Sequence, residues 1–184
     1  MDDILLKRIQ NKDKQAFEEL YQRYAGYAAR VALAVTRSQA LAADAVQETF
    51  IRVYFNIGKF KPGYPFEPWL YRILINECNR IMKRRSRVTY ISDYQINQTD
   101  FAFEDHRPFE EYEELYRAIE GLNDKLRIPI VLKYLKGFKE KEIAEILSLN
   151  INTVKSRLYK GRQKLKKAIA GSKKERNPDD TGKI

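Results

Sequence analysis

The sequence predicts an all-α protein with two small helical domains joined by a flexible acidic linker, the C-terminal domain being a helix-turn-helix. Apolar residues recur at three- and four-residue steps along much of the chain, and no run of residues resembles a strand ladder. The charge is uneven: residues 1–87 carry 16 basic and 9 acidic side chains, residues 88–116 carry 1 and 8, and residues 117–184 carry 18 and 8. We therefore predict four segments: a first domain at 1–87, the linker at 88–111, a second domain at 112–170 and a basic and polar tail at 171–184.

The composition narrows the class of protein. The chain has 184 residues, and its 35 basic and 25 acidic residues give a net charge of +10, which favours a nucleic acid or an acidic membrane face as partner. No run approaches the roughly 18 apolar residues of a membrane span, and the N-terminus lacks a signal-peptide core. We therefore predict a cytoplasmic protein without direct membrane insertion. Because Cys78 is the single cysteine and His106 the single histidine, we expect no disulfide, metal site, cofactor or catalytic residue.

The first domain begins with three predicted helices. A short helix spans residues 2–10, and its predicted inward residues are Ile4, Leu5 and Ile9. Asp13 is placed to cap the second helix, which is about six turns long, and Ser38 is placed to cap the third. The third helix carries a polar row on its outer side: Asp44, Gln47, Glu48 and Arg52. Its charged members recur every four residues and share a face, so spacing alone favours a solvated helix surface.

A loop of different character follows at residues 56–69, "NIGKFKPGYPFEPW". Its glycines and prolines prevent a continuous helix. Aromatic residues alternate there with Lys59 and Lys61, and the aromatic set is Phe60, Tyr64, Phe66 and Trp69. Such a loop suits a single-stranded nucleic acid, since rings stack on bases and ammonium groups hold the backbone. The alternative is that the rings only pack the loop onto the core.

A fourth helix is predicted from Pro68, because proline is favoured in the first turn of a helix. Its predicted inward residues are Leu70, Ile73, Leu74 and Ile81. Its opposite side carries the polar row Arg72, Asn76, Arg80 and Lys83, and further arginines follow. A row of this kind can follow a phosphate backbone, although it can also be an ordinary solvated face.

Residues 137–167 predict a helix, a tight turn and a second helix that is basic on one side. Gly137 ends the preceding helix, small Ala144 allows the two helices to approach closely, and Asn150 caps the second helix. The buried side of the second helix is predicted to be Val154, Leu158 and Leu165. Its remaining surface presents Asn152, Thr153, Lys155, Ser156, Arg157, Lys160 and Arg162. This pattern favours a DNA-binding helix-turn-helix over a basic helical hairpin that merely packs.

Three motifs together carry a family resemblance. They are "DAVQETFIRVYFNIGKF", "PFEPWLYRILINECNRIMKRR" and "EIAEIL" followed by "NTVKSRLYKGRQKLKK". In this order and at this separation they resemble the extracytoplasmic-function branch of the bacterial RNA polymerase sigma factors. The resemblance covers about residues 10–87 and 112–168, which would correspond to sigma domains two and four.

The resemblance implies a role for each surface. Asp44, Gln47 and Glu48 would meet the clamp helices of the largest subunit of core RNA polymerase, which reverses the solvated-face interpretation. The melted −10 strand would bind Lys59, Phe60, Lys61, Tyr64, Trp69, Arg72, Asn76, Arg80 and Lys83. The helix at 150–167 would read the −35 element in double-stranded promoter DNA, and the helices at 109–136 would pack on the polymerase flap. An anti-sigma factor is a further implied partner.

Three positions depart from the family pattern. Ser148 and Asn152 stand where glycine is common, and Val46 lies near a position that is often acidic. A residue other than glycine in the left-handed region costs about 1–2 kcal/mol, so we expect a looser turn at Ser148. Asn152 is expected to alter base preference.

Two other classes of function remain open at this stage. A helix-turn-helix regulator that binds DNA without core polymerase would explain the last helix pair, although it would not need the aromatic loop or "DAVQETF". An RNA-binding adaptor is a weaker alternative, because the sequence lacks an aromatic sheet motif and a glycine-rich clamp loop. An enzyme is least favoured.

Overall fold

The computed structural model describes residues 3–61, 63–89 and 113–176, and within these ranges the chain contains helices and turns but no strand. Eight α-helices occur there: α1 (Asp3–Gln10), α2 (Lys14–Thr36), α3 (Gln39–Asn56), α4 (Phe66–Thr89), α5 (Glu113–Glu120), α6 (Asp124–Tyr134), α7 (Glu140–Leu147) and α8 (Ile151–Arg176). A 3-10 turn, Ile57–Lys59, follows α3. No helix in the described ranges is both long enough and apolar enough to cross a membrane. Most of the predicted acidic linker and the end of the predicted tail lie outside the described residues, as does His106.

The two domain boundaries differ slightly from the helix ends. Helix α4 continues to Thr89, two residues beyond the predicted end of the first domain, and α8 continues to Arg176, where a tail was predicted from residue 171. Lys, Arg and Glu, which make up most of the end of α8, are good helix formers. Pro178 is the first residue after α8 that opposes a helix, and it also disfavours helical geometry at the residue before it. The start of the predicted tail is therefore helical.

The predicted helix caps are present in the first domain. A side-chain oxygen of Asp13 accepts a hydrogen bond from the Ala16 N–H at 3.1 Å, and Ser38 Oγ accepts one from the Leu41 N–H at 3.5 Å. In α1, however, Ile4 is 70% exposed and was wrongly predicted to be inward. The residues that α1 buries are Leu5, Leu6 and Ile9. A short helix buries only one stripe, and a stripe centred on these three residues leaves Ile4 outside it.

Helices α2, α3 and α4 form the core of the first domain. Their most deeply buried apolar side chains include Leu20, Val31, Phe50, Val53, Leu70 and Leu74. In the predicted set for α4, Ile73 and Ile81 are only partly buried, and they pack at the margin of this core. The three-helix arrangement places the outer sides of α3 and α4 next to each other.

Helices α6, α7 and α8 form the core of the second domain, and α7 and α8 are the helix-turn-helix. Ser148 adopts the left-handed conformation at φ 52°, and the turn closes with hydrogen bonds from the Ser148 N–H to Glu145 O and from the Leu149 N–H to Ala144 O. Two backbone hydrogen bonds contribute about 0.5–1.5 kcal/mol each, which offsets the strain of a left-handed serine. The turn is thus closed, and the looser turn expected from the sequence is not observed. Asn150 caps α8 by accepting a hydrogen bond from the Asn152 N–H at 2.8 Å.

Helix α8 lies close to α6 at Gly161. A Cβ atom built at Gly161 would lie 2.8 Å from Cγ1 of Ile130, a side chain that is itself buried. This approach was not predicted from the sequence, because the close contact predicted at Ala144 concerns α7 and α8. The second domain therefore depends on a small residue in the middle of α8, where glycine is otherwise unfavourable.

The two domains also pack against each other. The rings of Tyr71 in α4 and Phe138, just before α7, meet edge to face with centroids 5.2 Å apart. Lys136 and Glu67 form an ion pair across the same boundary at 2.6 Å. Backbone contacts join α4 with α7 and α2 with α6, so the described residues of the two domains form one packed body.

We predict that Gly161→Ala destabilises the protein by about 1 kcal/mol, because overpacking at Ile130 costs about 1–3 kcal/mol and exceeds the gain in helix propensity. Gly26→Ala is the matched control, since a Cβ at that helical glycine meets nothing within 4 Å. We expect the control to stabilise the protein by about 0.5–1 kcal/mol. Urea denaturation followed by circular dichroism measures both. Equal shifts for the two variants would contradict the close approach at Gly161.

Candidate functional surfaces

The polar row on α3 lines a groove between α3 and α4. Asp44 and Gln47 are exposed and Glu48 is partly exposed. The groove has a volume of about 510 Å³, and α4 contributes Arg80, Ile81, Arg84 and Arg85 to its wall. The surface thus combines exposed carboxylates with neighbouring arginines, which is suited to a protein partner that carries both charges.

Glu77 explains why Arg52 does not share the surroundings of the other members of the polar row on α3. Its carboxylate is buried in α4 and lies 2.6 Å from Arg52 Nε and 2.7 Å from Arg80 Nε. Arg52 therefore serves the packing of α3 on α4, although spacing grouped it with Asp44 and Glu48. The hydrogen bond with Glu77 also raises the pKa of Arg80. Sequence reasoning missed Glu77, although helical spacing places it on the inward side of α4 between Leu74 and Ile81.

Arg80 connects the predicted docking row with the predicted DNA row. Besides its bond to Glu77, its guanidinium lies 3.4 Å from the carboxylate of Glu48 on α3. Arg72, Asn76 and Lys83 are exposed along the same side of α4. The two predicted surfaces therefore meet at Arg80, which belongs to the groove with Glu48 as well as to the polar row of α4.

Val46 accounts for one departure from the family pattern. Its side chain is buried in the core of the first domain, between the exposed positions of α3. An acidic side chain at this position would face apolar neighbours, so the valine agrees with the packing of this chain.

The aromatic loop forms a small cleft against the start of α4. The cleft has a volume of about 300 Å³, and its walls include Lys59, Lys61, Tyr64, Trp69 and Arg72. Tyr64 is 68% exposed and Trp69 is partly buried. Exposed rings with nearby lysines present the chemistry that a single-stranded nucleic acid requires.

Gln10, at the end of α1, stabilises this loop through two hydrogen bonds. Its side-chain amide donates hydrogen bonds to Ile57 O at 3.1 Å and to Phe60 O at 3.0 Å. The bonds join the end of α1 to the loop between α3 and α4. Sequence reasoning missed Gln10, since its partners lie far away along the chain.

Phe60 differs from the other predicted strand-binding residues. It is only 7% exposed, and its ring centroid lies 5.1 Å from Trp69 and 5.6 Å from Phe66. A ring enclosed by two others has no free face on which a base can stack. Phe60 therefore lines the inner part of the cleft and supports Trp69 there, and its role as a DNA contact stays a prediction.

The exposed side of α8 lines a broad groove of about 890 Å³. The sequence-predicted residues that line it are Asn152, Thr153, Ser156, Arg157 and Lys160. Lys155 and Arg162 lie on another side of α8, and Arg162 instead donates a hydrogen bond to the Tyr134 hydroxyl at 3.4 Å. The structure therefore separates these two residues from the other five.

Five further polar residues line the same groove and were not predicted. They are Asn123, Lys125, Tyr159, Gln163 and Lys164. The sequence did contain a signal for Gln163 and Lys164. At helical spacing, residue 163 shares a side of the helix with 152 and 156, and residue 164 shares the adjoining side with 153, 157 and 160. Asn123 and Lys125 come from the start of α6, so no pattern within α8 could have identified them.

The described residues contain no group of three or more His, Cys, Asp or Glu side chains that could hold a metal ion. The surfaces described above instead offer cationic, amide and aromatic groups together with exposed carboxylates. They are suited to binding a polyanion and a protein rather than to catalysis at a metal.

Comparison with protein families gives two matches. Residues 20–88 match the family described as sigma-70 region 2, and residues 112–165 match the family described as sigma-70, region 4. Together the two matches cover more than half of the chain. They include the α3–α4 groove, the aromatic cleft and the helix-turn-helix.

Similar curated proteins match over nearly their whole length. The chain is 32% identical to the ECF RNA polymerase sigma-E factor of Escherichia coli strain K12 over 177 residues, covering 88% of this chain and 91% of that protein. It is 28% identical to the RNA polymerase sigma-H factor of Pseudomonas aeruginosa, covering 91% of this chain and 93% of that protein.

Two solved structures share the fold. One is RpoE in complex with the anti-sigma factor NepR from Bartonella quintana, with a TM-score of 0.73, 23% identity and coverage of 84% of this chain and 96% of that one. The other is CnrH in complex with the cytosolic domain of CnrY, with a TM-score of 0.70, 24% identity and coverage of 92% and 97%.

We predict that Glu77→Gln destabilises the protein by about 1–3 kcal/mol, because it removes the charge from two hydrogen bonds at a buried carboxylate. The matched control is Glu19→Gln, which breaks an ion pair with Arg23 whose two side chains are about half exposed. We expect the control to change the free energy of unfolding by at most about 0.5 kcal/mol. Thermal and urea denaturation of both variants measure the difference. A control as destabilising as Glu77→Gln would refute the structural role of Glu77.

Proposed function

Since the chain belongs to the extracytoplasmic-function group of the sigma-70 family of RNA polymerase sigma factors, we propose that its first domain docks on core polymerase and holds the melted −10 strand while its second domain reads the −35 element. The chain is a transcription initiation factor and not an enzyme. Its named surfaces therefore need only bind and position, since the polymerase supplies the chemistry.

The proposed polymerase-docking residues are Asp44, Gln47 and Glu48. Their exposure on α3 and their position in a groove with arginines support this role. A partner helix with complementary charge would gain orientation as well as affinity, because opposed charges set the register of an interface. We assign the groove to the clamp helices of the largest polymerase subunit.

The proposed −10 site is the aromatic cleft with the adjoining row of α4. Melting requires a base to leave the duplex stack, and the loss of pairing and stacking must be offset by contacts with the extruded base and the backbone. Tyr64 and Trp69 are suited to contact bases. Lys59, Lys61 and Arg72 are suited to contact phosphates, and Asn76 and Lys83 extend this surface along α4.

The proposed −35 site is the groove on α8. Asn152, Thr153, Ser156 and Arg157 lie toward the N-terminal part of this helix, where a recognition helix meets base edges. Lys160 and Lys164 follow one and two turns later and are suited to phosphate contacts. We place Lys155 and Arg162 outside the base-reading surface.

One observation favours this function over a regulator that binds DNA without polymerase. The first domain presents a groove with exposed carboxylates on α3 and an aromatic, basic cleft at the start of α4. Arg80 lines the groove and also belongs to the polar row of α4 that begins at the cleft with Arg72. A regulator that uses only the helix-turn-helix needs neither surface. A sigma factor needs both, because the polymerase and the opening DNA must be held in one fixed relation.

Two further assignments follow from the family. One solved structure with the same fold contains the sigma factor RpoE bound to the anti-sigma factor NepR, and another contains CnrH bound to the cytosolic domain of CnrY. We propose that this chain also has an inhibitory protein partner. A sigma factor acts where core polymerase is present. We therefore propose that this one works in the bacterial cytoplasm.

We predict that Glu48→Lys lowers affinity for core polymerase by at least about tenfold, because like charges placed opposite each other at an interface cost several kcal/mol. Titration of labelled core polymerase without DNA measures this affinity. Glu18→Lys, the same charge change at an exposed position of α2, is the control and should bind as the unaltered chain does. Unchanged core binding by Glu48→Lys would remove the docking assignment.

We predict different effects for two residues in the α8 groove. Arg157→Ala should weaken promoter binding by about 1–3 kcal/mol and relax preference at one −35 position, as expected for a bidentate base contact. Lys160→Ala should weaken binding to all DNA sequences alike. It should also reduce the slope of log affinity against log salt concentration by about one, as expected for a phosphate contact.

Lys155→Ala is the matched control, because Lys155 is exposed on α8 but does not line the groove. It should leave sequence preference unchanged. Footprinting and salt titration of holoenzyme on a randomised −35 element distinguish the three variants. Identical behaviour of Arg157→Ala and Lys160→Ala would refute the proposed division of roles along α8.

A further inference from the structure

An apolar groove opens between α2 and α3 on the surface of the first domain. It has a volume of about 830 Å³, and its lining residues other than Lys14 and Gln47 are apolar, aromatic or glycine. Three of its large side chains remain in contact with solvent: Phe55 is 72% exposed, Tyr21 46% and Ile51 42%. A contiguous apolar surface of this kind is typical of a contact with another molecule.

The residues of α3 that line this groove form one stripe along the helix. They lie at positions 43, 46, 47, 50, 51, 54 and 55, at the three- and four-residue steps of one helix side. The stripe begins with the small Ala43 and ends with the projecting ring of Phe55, about 18 Å further along at 1.5 Å per residue. A second α3 that runs antiparallel to the first can therefore place each Phe55 ring over the Ala43 of the other copy.

Helix α2 has the same arrangement, with a large residue at one end and a small one at the other. Phe17 and Gly26 line opposite ends of its part of the groove. A Cβ atom built at Gly26 meets nothing within 4 Å, so the space over this position is open. In an antiparallel pair of chains, the Phe17 ring of each copy can enter the space over Gly26 of the other.

One two-fold axis satisfies both helices. The midpoint of the large and small pair on α2 falls at Tyr21, and the midpoint of the pair on α3 falls next to Phe50. Tyr21 and Phe50 are themselves in contact, with ring centroids 4.8 Å apart. Both pairs are therefore centred on the same point of the surface. A two-fold axis that passes through this point, along the surface and across the helices, gives an isologous contact in which rings meet small residues on both helices.

The same rotation also brings opposite charges together. It places the exposed Asp44 of one copy opposite Tyr54 of the other, since these positions are equally far from the centre of the α3 stripe. The Lys12 ammonium lies 4.6 Å from the centroid of the Tyr54 ring. Each Asp44 thus faces a lysine of the other copy, and opposed charges of this kind fix the register of an interface. A face with opposite charges at its two ends complements a second copy of itself.

The size of the face fits a dimer that forms and separates readily. The groove runs about 20 Å along two adjacent helices and about 20 Å across them, so each copy would bury on the order of 400 Å². The total of about 800 Å² lies below the roughly 1,200 Å² at which stable specific interfaces begin. Each chain also carries a net charge of +10, so the copies repel each other outside the interface.

We propose that the apolar α2–α3 groove is the contact face of a symmetric homodimer, and that the dimer covers Asp44 and Gln47 and so excludes core polymerase. The second part rests on the proposed docking role of these residues, whereas the dimer does not. Dissociation would have to precede docking. The fraction of the chain that is available to polymerase would then fall as the concentration of the chain rises.

Sedimentation velocity of the full chain, without polymerase and in 0.15 M salt, tests the dimer. We expect a monomer–dimer equilibrium with a midpoint of about 10–100 µM, as suits so small a face. Phe55→Ala removes the projecting ring, and Gly26→Gln fills the space that receives Phe17. Each should weaken the dimer at least about tenfold, because each acts at two symmetric contacts. Ile4→Ala is the matched control, since Ile4 is 70% exposed on α1 and does not line the groove.

A charge exchange tests the register. Asp44→Lys and Lys12→Asp each place like charges together at both ends of the face, and each should weaken the dimer at least about threefold. The double variant restores opposite charges and should return the dimer toward its original strength. Circular dichroism checks that every variant keeps its helices. A double variant as weak as the weaker single variant would refute the antiparallel register.

Competition with core polymerase tests the second part. Energy transfer between copies labelled at the N-terminus reports the dimer, and added core polymerase should abolish it. Energy transfer that persists while polymerase is bound would refute the exclusion of polymerase but not the dimer. Failure of the monomeric Phe55→Ala and Gly26→Gln variants to bind polymerase would assign the groove to polymerase as its occupant. Retained polymerase binding by both variants supports the groove as a dimer face.

Two results would overturn the dimer itself. The first is a chain that stays monomeric well above about 100 µM. The second is a dimer that Phe55→Ala and Gly26→Gln weaken no more than Ile4→Ala does, which would place the contact on another surface. Neither result bears on the proposed function, because core binding by the unaltered chain is measured separately.

Discussion

The buried carboxylate of Glu77 is the constraint on which the functional arrangement of the first domain depends. It lies in α4 and bonds to Arg52 of α3 and Arg80 of α4, so a rotation of either helix would break the pair with Arg52 and leave the buried carboxylate with Arg80 alone. The outer sides of these helices form the proposed docking groove and the proposed −10 surface. Glu77 therefore keeps the two surfaces in a fixed relation, and docking on polymerase would orient the strand-binding cleft.

The second domain depends on backbone geometry at its own turn. Ser148 closes the helix-turn-helix in the left-handed conformation, and Gly161 allows α8 to lie close to α6. The hydroxyl of Ser148 also accepts the hydrogen bond from Arg72 of the first domain. The turn that positions the proposed recognition helix thus also touches the proposed −10 surface.

Local signals in the sequence predicted much of this fold. Asp13, Ser38 and Asn150 cap the predicted helices, and Val154 and Leu158 are buried as helical spacing indicated. The differences concern long-range packing: Ile4 was wrongly predicted to face the core, and the enclosure of Phe60 by rings from α4 was not foreseen. The roles of Gln10, Glu77 and Gly161 were also missed. The sequence pattern of one helix shows which of its sides is apolar. It does not show which atoms from distant parts of the chain will contact that helix.

The central claim is that this chain gives core polymerase the ability to open promoters of a defined sequence. In vitro transcription with bacterial core polymerase on a fragmented genomic library, followed by mapping of transcript starts, tests it most directly. We expect transcript starts that require the chain and that share two separated sequence blocks upstream. It also predicts that Glu48→Lys abolishes them. The claim would be contradicted if transcription were no greater than that of core polymerase alone while the chain still bound specific DNA by itself.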